Sequence, residues 1–338
     1  MTGTIERIDV RDDEAMLAWY QIWRAAYSEH YPDNPLTTYP EIVEHARSRQ
    51  TSSGTEYWAH YAEGRPVGTY RLDCPLRDNL DLVELDLAVH PEYQGRGVGR
   101  NLLEHAVDRI HQLGRHQIVV ELNEPADGST DRAMRFAAAA GCTPALAEMR
   151  RSLDLTTLDR PRLDALRTDA QDHASGYQLV SWTGSCPEDL VESYATLNSR
   201  MSTDAPMGDL DVEPEAWPVD RVRELDAVLV AQGRTSLTTA ARLANDGPLV
   251  AFTDLVVSRH DPINAFQWNT LVLREHRGRR LGMLVKLANL DRLLAQAPDA
   301  RRVHTWNATE NEPMIAVNEA MGFVPAQREC AWRLDLDR

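Results

Sequence analysis

The sequence predicts two α/β domains in tandem, each built from alternating strands and helices. Three observations support this. The chain has 338 residues, about twice the commonest domain length. One order of strand, glycine turn, helix, strand and helix occurs twice. The two copies also keep one spacing, because Gly95 and Gly278, like Gly99 and Gly282, are 183 positions apart. We therefore expect an internal duplication.

The first copy is recognised from the periodicity of its apolar residues. Residues 82–89 alternate as in a strand, and the turn HPEYQGRGVG (90–99) follows. Helical periodicity then runs over 101–114 and ends at a capping glycine. Residues 117–122 predict the next strand. A short helix over 129–142 closes the copy.

The second copy repeats these elements in the same order. Residues 266–273 predict a strand, REHRGRRLG (274–282) is the turn, and a helix follows over 283–296. VHTWN (303–307) is the next strand, and EPMIAVNEAMGF (312–323) the closing helix. From the two copies we expect an N-terminal domain over 1–155, a charged linker over 156–176 and a C-terminal domain over 177–338.

Composition and charge exclude several classes of protein. The chain is 43% hydrophobic and 26% charged, as folded domains are. A net charge of −16 opposes nonspecific binding to nucleic acid or an anionic membrane and favours cationic small molecules. The four scattered cysteines show no metal-ligand spacing, so we expect reduced thiols and no metal. Without an apolar signal or membrane span, we expect a cytoplasmic protein.

The glycine turns predict an anion site. Between a strand and a helix N-terminus, such a turn presents backbone N–H groups to a phosphate. A Walker loop would need GK[ST], which neither turn has. A dinucleotide fingerprint would need GxGxxG, whereas the first turn is GxGxG, although Glu121 lies at the distance of the acidic partner. Both alternatives are disfavoured by spacing.

The first turn resembles the GCN5-related N-acetyltransferase (GNAT) superfamily. Its pattern [QR]xxGx[GA] after VxPEY is present as Val89, Pro91, Glu92, Tyr93, Gln94, Gly97 and Gly99. The resemblance implies two tandem GNAT folds, each with a mixed, mostly antiparallel sheet flanked by helices on both faces. It also implies acetyl-CoA as cosubstrate, held by its pyrophosphate at the turn and by its pantetheine along the preceding strand.

Residue by residue, the resemblance assigns coenzyme contacts in both copies. In the first they are Leu87, Ala88, Val89, Gln94, Gly95, Arg96, Gly97, Val98, Gly99 and Arg100. In the second they are Leu271, Val272, Arg277, Gly278, Arg279, Gly282, Asn307 and Asn311. The two asparagines are also ordinary turn and cap residues.

The second turn departs from the family pattern. Arg280 replaces the first diagnostic glycine, so its side chain either crowds the phosphates or joins Arg277 and Arg279 as guanidinium donors. The second copy keeps more of the closing-helix signature, with Asn311 and Gly322 in place. We therefore expect the second copy to bind coenzyme A more weakly or differently.

Acetyl transfer needs a base, because an alkyl amine is mostly protonated at neutral pH. Glu84 and Asp86 lie on one face of their strand and Val83, Leu85 and Leu87 on the other. The resemblance makes both carboxylates candidate bases. A gap-free alignment through Val89 and Val272 puts Gln267 and Asn269 at their positions, leaving Asp254 and His304 as weaker candidates. The family's closing-helix tyrosine is replaced by Ala137 and Asn318.

Two functions remain open from the sequence. One is an N-acetyltransferase in which a small-molecule amine attacks acetyl-CoA directly in a ternary complex. The other is a catalytically degenerate protein that binds coenzyme A for a regulatory or structural purpose. The full turn and Glu84 favour the first function, whereas Ala137 and Arg280 favour the second.

Overall fold

The computed structural model describes residues 3–48, 50–204, 206–244 and 246–337. The chain divides into two compact units, which comprise residues 1–146 with 329–338 and residues 147–328. No helix of the described ranges is long and apolar enough to cross a membrane. The four cysteines are buried as reduced thiols. No group of three or more histidine, cysteine or acidic residues in these ranges could hold a metal ion.

The first repeat begins with a strand, two helices and an antiparallel meander. These elements are β1 (Thr4–Arg7), α1 (Asp13–His30), α2 (Tyr39–Arg47), β2 (Ser53–Ala62), β3 (Arg65–Pro75) and β4 (Leu82–Val89). A short 3₁₀ turn at Pro91–Tyr93 leads to α3 (Val98–Gln112). The repeat ends with β5 (Gln117–Glu124), α4 (Arg132–Ala139) and β6 (Thr143–Asp154).

The second repeat has the same order after one additional helix. That helix is α5 (Arg160–His173), followed by β7 (Tyr177–Thr183), α6 (Val191–Asp204), α7 (Val219–Ala231), β8 (Arg234–Leu243), β9 (Leu249–Ser258) and β10 (Asp261–Val272). A 3₁₀ turn at Arg274–His276 precedes α8 (Leu281–Gln296). Then come β11 (Arg302–Ala308), α9 (Glu312–Met321) and β12 (Val324–Asp335).

Each unit contains a mixed sheet in which antiparallel pairs predominate. In the first unit, β1 to β4 pair antiparallel in chain order and β4 pairs with β5 in parallel. In the second, β7 to β10 pair antiparallel, β10 pairs with β11 in parallel, and β11 pairs with β6 antiparallel. The predicted fold class is confirmed.

Helices cover both faces of each sheet because successive strand residues point to opposite sides. On β4, Val83 and Leu85 join the core formed with α3, whereas Ala88 joins the core formed with α1 and α2. On β9, Leu255 packs with α8 and Phe252 with α6. Both sheets are thus central layers with a hydrophobic core on each side.

The last strand of each repeat completes the unit of the other repeat. Strand β12 is the neighbour of β5, and Cys330 and Trp332 pack with Ala137 and Cys142 of the first unit. From residue 147 onward, β6 pairs with β11 in the second unit. The unit bounds therefore differ from those of the sequence repeats, and the boundaries at 155 and 177 stay predictions about the repeats.

The stretch 156–176, predicted as a linker, contains helix α5. Asp159 caps this helix by accepting a hydrogen bond from the backbone N–H of Arg162, as N-cap aspartates do. Leu163 and Ala170 are buried in the core formed with α8. Only three of its residues, Leu163, Leu166 and Ala170, are apolar at helical spacing, so its packed face is narrow and its charged residues dominate the sequence signal.

Candidate active site

The glycine turn of the first unit lies between β4 and α3. Gly95 and Gly97 have φ of 74° and 85°, in the left-handed region that glycine adopts without a steric penalty. Because α3 begins at Val98, the backbone N–H groups of Val98, Gly99 and Arg100 belong to its first turn and have no partner within the helix. The turn therefore offers N–H donors and the positive end of a helix dipole to an anion.

Gln94 holds this turn to three neighbouring elements. Its Nε2 atom donates to the carbonyl oxygen of Val89 and to the carboxylate of Glu29, both at 3.2 Å. Its Oε1 atom accepts from Arg132 of α4 at 2.8 Å. The side chain of Gln94 is thus a brace for the turn. Arg96 packs its guanidinium over the ring of Tyr93, 5.4 Å from the centroid.

A cleft opens where β4 and β5 separate. Their parallel pairing extends from Leu82 and Gln117 to Glu84 and Val119. Beyond that point both strands turn side chains into the cleft, together with residues of α1, β3, α3 and α4. The lining includes Tyr27, Arg71, Glu84, Asp86, Leu87, Leu103, Glu121, Leu122, Phe136, Ala137 and Cys142. Polar groups and apolar groups converge here, as in ligand sites generally.

The strand that is predicted to bind pantetheine is hydrogen-bonded to β3 along one of its two edges. Leu87, Ala88 and Val89 pair with Tyr70, Thr69 and Gly68 of β3. Their other edge faces the opening cleft, because pairing with β5 stops at Glu84. An extended amide chain in the cleft would meet backbone groups of this strand at that edge.

Asp86 accepts two hydrogen bonds and forms an ion pair. Trp23 Nε1 donates to Oδ2 at 2.8 Å, and Tyr27 Oη donates to Oδ1 at 3.0 Å. The guanidinium of Arg71 lies 3.8 Å from Oδ2. Burial raises the pKa of Tyr27, and Asp86 raises it further, so this hydroxyl stays protonated as a donor. The arrangement fixes Asp86 as an acceptor between α1 and β3.

Glu84 has different surroundings from Asp86. Its side chain is exposed and lines the cleft at the last paired position of β4. Glu121 of β5 is also exposed and lines the same cleft. Trp23, Tyr27 and Arg71 were not predicted from the sequence as parts of this site. Trp23 and Tyr27 lie four residues apart and share one face of α1. This spacing could have predicted that they contact the same group.

The second turn repeats the first with different side chains. Arg277 donates through Nε to the carbonyl oxygen of Val272 at 3.1 Å and through Nη2 to Asp204 at 2.7 Å, the two contacts that Gln94 makes in the first unit. Gly278 has φ of 79°, and Arg280 has φ of 52°. A left-handed arginine costs about 1 kcal/mol.

The arginines of the second turn already have partners. Arg280 Nε lies 2.6 Å from Asp169 of α5, and Arg277 lies 2.7 Å from Asp204. Arg279 places its guanidinium over the ring of Tyr177, 5.6 Å from the centroid. A phosphate at this turn would compete with both carboxylates. Gly282 lies in the first turn of α8, and Leu271 and Val272 pair with Phe252 and Ala251.

A β-bulge in β10 shows that β4 and β10 cannot be aligned without a gap. The pairing of β9 with β10 shifts between Gln267 and Thr270, whereas β3 pairs regularly with β4. Gln267 is opposite Leu255, as Leu85 is opposite Leu72. Gln267 therefore stands at the position of Leu85, and Phe266 at that of Glu84. The alignment of Gln267 with Glu84 was therefore wrong by one residue. Asn269 lies in the bulge beside Thr270, which keeps the register of Leu87, so its alignment with Asp86 is not contradicted.

Aromatic rings occupy the second unit's counterpart of the carboxylate site. The ring of Phe266 stacks on that of Trp306, with centroids 6.3 Å apart and 15° between the planes. It also contacts His304, at 5.9 Å between centroids. Gln267 instead donates to Thr253 Oγ1 and the carbonyl oxygen of Asp254. No acid or base stands where Glu84 stands in the first unit.

Asp254 and His304, the weaker candidate bases, are both buried and hydrogen-bonded. Asp254 accepts from Tyr194 at 2.9 Å and from Thr238 at 2.6 Å, and burial raises its pKa to about 7. His304 contacts Arg150 through Nδ1 and Asn264 through Nε2. Burial and the charge of Arg150 lower its pKa to about 4. Both side chains are held inside the unit.

The two asparagines of the second unit have contacts within the protein. Asn307 Oδ1 accepts from Asn318 Nδ2 at 2.7 Å, which ties β11 to α9. Asn311 is the N-cap of α9 and accepts from the backbone N–H of Met314 at 3.4 Å. Their assignment to coenzyme binding stays a prediction.

Comparisons with known proteins agree with this geometry. Residues 16–141 match the sequence model of the acetyltransferase (GNAT) family. An L-methionine sulfoximine/L-methionine sulfone acetyltransferase of Salmonella typhimurium strain LT2 is 27% identical over 147 residues, 43% of this chain and 71% of that protein. Fold and cleft thus define an enzyme of the N-acetyltransferase type, in the acyltransferase class.

Solved structures extend the match over the whole chain. A tandem GNAT protein from the clavulanic acid biosynthesis pathway, solved without acetyl-CoA, is 28% identical with a TM-score of 0.82, covering 100% of this chain and 99% of that one. A GNAT protein from Sphaerobacter thermophilus, 15% identical, has a TM-score of 0.67 over 99% of this chain and 96% of its own, and shows the fold alone. Residues 16–141 thus match the GNAT family, and the whole chain has the fold of a tandem GNAT protein.

Proposed function

We propose that the first unit transfers an acetyl group from acetyl-CoA to the amine of a small molecule, by direct attack in a ternary complex. The observation that carries this proposal is the cleft between β4 and β5. The exposed carboxylate of Glu84 lies on its wall, and Phe136 of the same wall lies 3.6 Å from where a Cβ would stand at Gly99 of the glycine turn. Thioester site, phosphate site and base are thus contributed by consecutive parts of one segment, residues 84–100.

The residues of the first turn fit the diphosphate of the coenzyme. A Cβ added at Gly95 would meet no atom within 4 Å, so the space beside the backbone is open to a ligand. The N–H groups of Val98 to Arg100 supply donors, and Arg96 and Arg100 supply positive charge. When bound, acetyl-CoA supplies the activated acetyl thioester.

Glu84 takes the proton of the amine in this proposal, directly or through a water molecule. Its exposure allows proton exchange with solvent, whereas the oxygens of Asp86 already accept from Trp23 and Tyr27. Asp86 therefore positions Tyr27 and Arg71 on the cleft wall. Ala137 provides no hydroxyl at the closing helix, but a thiolate with a pKa near ~8.5 is a tolerable leaving group.

The acceptor is proposed to be a small cationic amine. Glu84 and Glu121 both line the cleft, so an ammonium group would be attracted before it loses its proton. Arg71 lies on the same wall, but its guanidinium already has an ion-pair partner, because Asp73 lies 2.7 Å from its Nε. Because the Salmonella relative acts on methionine derivatives, amino acids and their derivatives are the first acceptors to assay.

The test is thiol release from acetyl-CoA with a panel of amines, for wild type and Glu84→Gln. We expect Glu84→Gln to keep its acetyl-CoA affinity and to lose ~10²- to 10⁴-fold in kcat, with partial recovery at high pH as free amine accumulates. Glu104→Gln, the same change on the exposed face of α3, should be silent. An active Glu84→Gln with an inactive Glu121→Gln would move the base to β5.

The second unit favours a different role, that of a domain without amine chemistry. Phe266 replaces the base, and Arg280 with its carboxylate partner occupies the turn. These observations support binding or structure rather than turnover there. If Phe266→Ala lowered kcat as far as Glu84→Gln while acetyl-CoA affinity stayed unchanged, this assignment would be wrong.

A further inference from the structure

Four positions of the first cleft have counterparts in the second unit that differ in chemistry. Helices α3 and α8 align with one offset, since Leu102, Ala106 and Ile110 correspond to Val285, Asn289 and Leu293, all six fully buried. Leu103 therefore corresponds to Lys286. By the strand registers and the closing helices, Leu122, Ala137 and Cys142 correspond to Asn307, Asn318 and Phe323.

The second unit thus has polar side chains at three of these four positions, where the first unit has apolar ones. In the first unit, Leu103, Leu122, Ala137 and Cys142 all line the cleft. In the second, Lys286 is 2% exposed and Asn318 is 0% exposed. The Nζ atom of Lys286 lies 5.5 Å from the centroid of the Phe323 ring. A buried amine thus stands at the position that corresponds to Leu103 on the cleft wall of the first unit.

Lys286 is chemically singular in this chain. It is the only lysine among 338 residues. Within the described ranges no carboxylate forms an ion pair with it, and burial lowers the pKa of its amine to about 7. A large share of the amine is therefore uncharged at neutral pH. Desolvation of a lysine in an apolar pocket is one of the ways in which proteins make this amine nucleophilic.

A second buried polar atom points to a ligand. Asn318 donates through Nδ2 to Asn307 Oδ1 at 2.7 Å, but its own Oδ1 is buried and has no hydrogen-bond partner in the described structure. Buried acceptors are normally paired, and leaving one unpaired is destabilising. An N–H group entering this cleft, such as an amide of a pantetheine arm, would satisfy it.

We propose that Lys286 is a self-acylation site, at which an acyl thioester bound in the second unit's cleft transfers its acyl group to the lysine amine. The amine nitrogen attacks the thioester carbonyl, the new C–N amide bond forms and the C–S bond breaks. The proton lost from nitrogen goes to the departing thiolate, giving free thiol. The reaction stops after one turnover per chain, because the amide is not a nucleophile.

The modification removes an ionisable group from the core of the second unit. An acetylated Lys286 is neutral at every pH and has an amide N–H and carbonyl in place of the amine. The acyl state of the chain then reports past exposure to the thioester. The proposal rests on the proposed function for the acyl donor alone, since amine turnover is assigned to the other unit.

The experiment is prolonged incubation of the full chain with acetyl-CoA, without acceptor amine, followed by peptide mass spectrometry. We expect one acetyl group on Lys286 and one equivalent of thiol released. The folded chain should react at least ~10-fold faster than the urea-unfolded chain, because the cleft holds the reactants together. Gly278→Glu, which places a carboxylate at the second turn, should slow the reaction.

Variants separate this proposal from the proposed function. Lys286→Arg and Lys286→Met should remain unmodified at this position, and Glu84→Gln should lose amine turnover but keep acetylation of Lys286. If the wild-type chain became acetylated at Lys286 but turned over no amine, only the proposed function would be contradicted. A folded chain that stays unmodified, or that reacts no faster than the unfolded chain, would overturn the self-acylation site.

Discussion

Two carboxylates on one strand illustrate how position alone separates chemical roles. Glu84 and Asp86 point to the same side of β4, as their alternate spacing predicts. The structure then distinguishes them, because only Asp86 accepts hydrogen bonds from both Trp23 and Tyr27. The sequence could predict the pair but not this difference, since the donors lie about 60 residues earlier on α1.

The two carboxylates should therefore differ in their effect on stability. We expect Asp86→Asn to lower the free energy of unfolding by about 1 to 3 kcal/mol, because charge-assisted hydrogen bonds and the ion pair with Arg71 are weakened. Glu84→Gln should change it by less than about 0.5 kcal/mol, as exposed substitutions do. Urea unfolding of both variants measures this, and equal losses would contradict the assigned roles.

Lys286 should make stability depend on pH in a defined window. Burial lowers its pKa from 10.5 to about 7, so between these values the unfolded chain binds more protons and the free energy of unfolding rises with pH. Below about pH 7 the full penalty is present. Lys286→Met should therefore be more stable than wild type at pH 6, by at least ~1 kcal/mol.

The same comparison at higher pH provides the control. The advantage of Lys286→Met should shrink as the pH rises from 7 towards 10, because the free-energy cost of removing the proton from the wild-type amine on folding falls as the pH approaches the unfolded pKa of 10.5. Unfolding by urea at several pH values follows the difference between the two chains. A difference that stays constant from pH 6 to pH 10 would show that the amine is not the cause.

At the scale of elements, local patterns predicted the strands and helices of both cores but not their register or partners. The glycine turns, α3, α8 and the closing helices lie where the spacing placed them. The bulge in β10 was missed, because one extra residue leaves the alternation on either side intact. Helix α5 was read as linker because its buried face is narrow. Non-local strand pairing leaves no local signal.

The exchanged strand β12 leads to a prediction about the C-terminal residues. Removing 329–338 takes Cys330, Trp332 and Leu334 from the core around Ala137 and Cys142. We expect the first unit to lose at least ~3 kcal/mol of stability, as large core truncations do. Hydrogen exchange should show lost protection in β5 and α4, with a smaller change in α8.

A chain ending at Leu336 is the control for this deletion. It keeps the packed residues of β12 and the hydrogen bond from the backbone N–H of Leu336 to the carbonyl oxygen of His116. Its exchange pattern should match that of the full chain. Equal protection of β5 in the full chain and in the 329–338 deletion would mean that β12 does not stabilise the first unit.

At the scale of the whole molecule, duplication has given two similar folds with different sites. The first unit keeps glycine at the turn and a carboxylate on the cleft wall. The second has a left-handed Arg280 tied to Asp169, and Phe266 stacked on Trp306. Arg280 in place of glycine is visible in the sequence, whereas Phe266 at the position of Glu84 could be recognised only from the strand register.

The most direct test of this division is calorimetric titration with acetyl-CoA of two matched variants, Gly95→Glu and Gly278→Glu. The two glycines are equivalent, with φ of 74° and 79° and no atom within 4 Å of an added Cβ, so both variants carry the same backbone strain. We predict one tight site per chain, abolished by Gly95→Glu and unchanged by Gly278→Glu. Tight binding that survives Gly95→Glu and disappears in Gly278→Glu would place the acetyl-CoA site in the second unit and contradict the account.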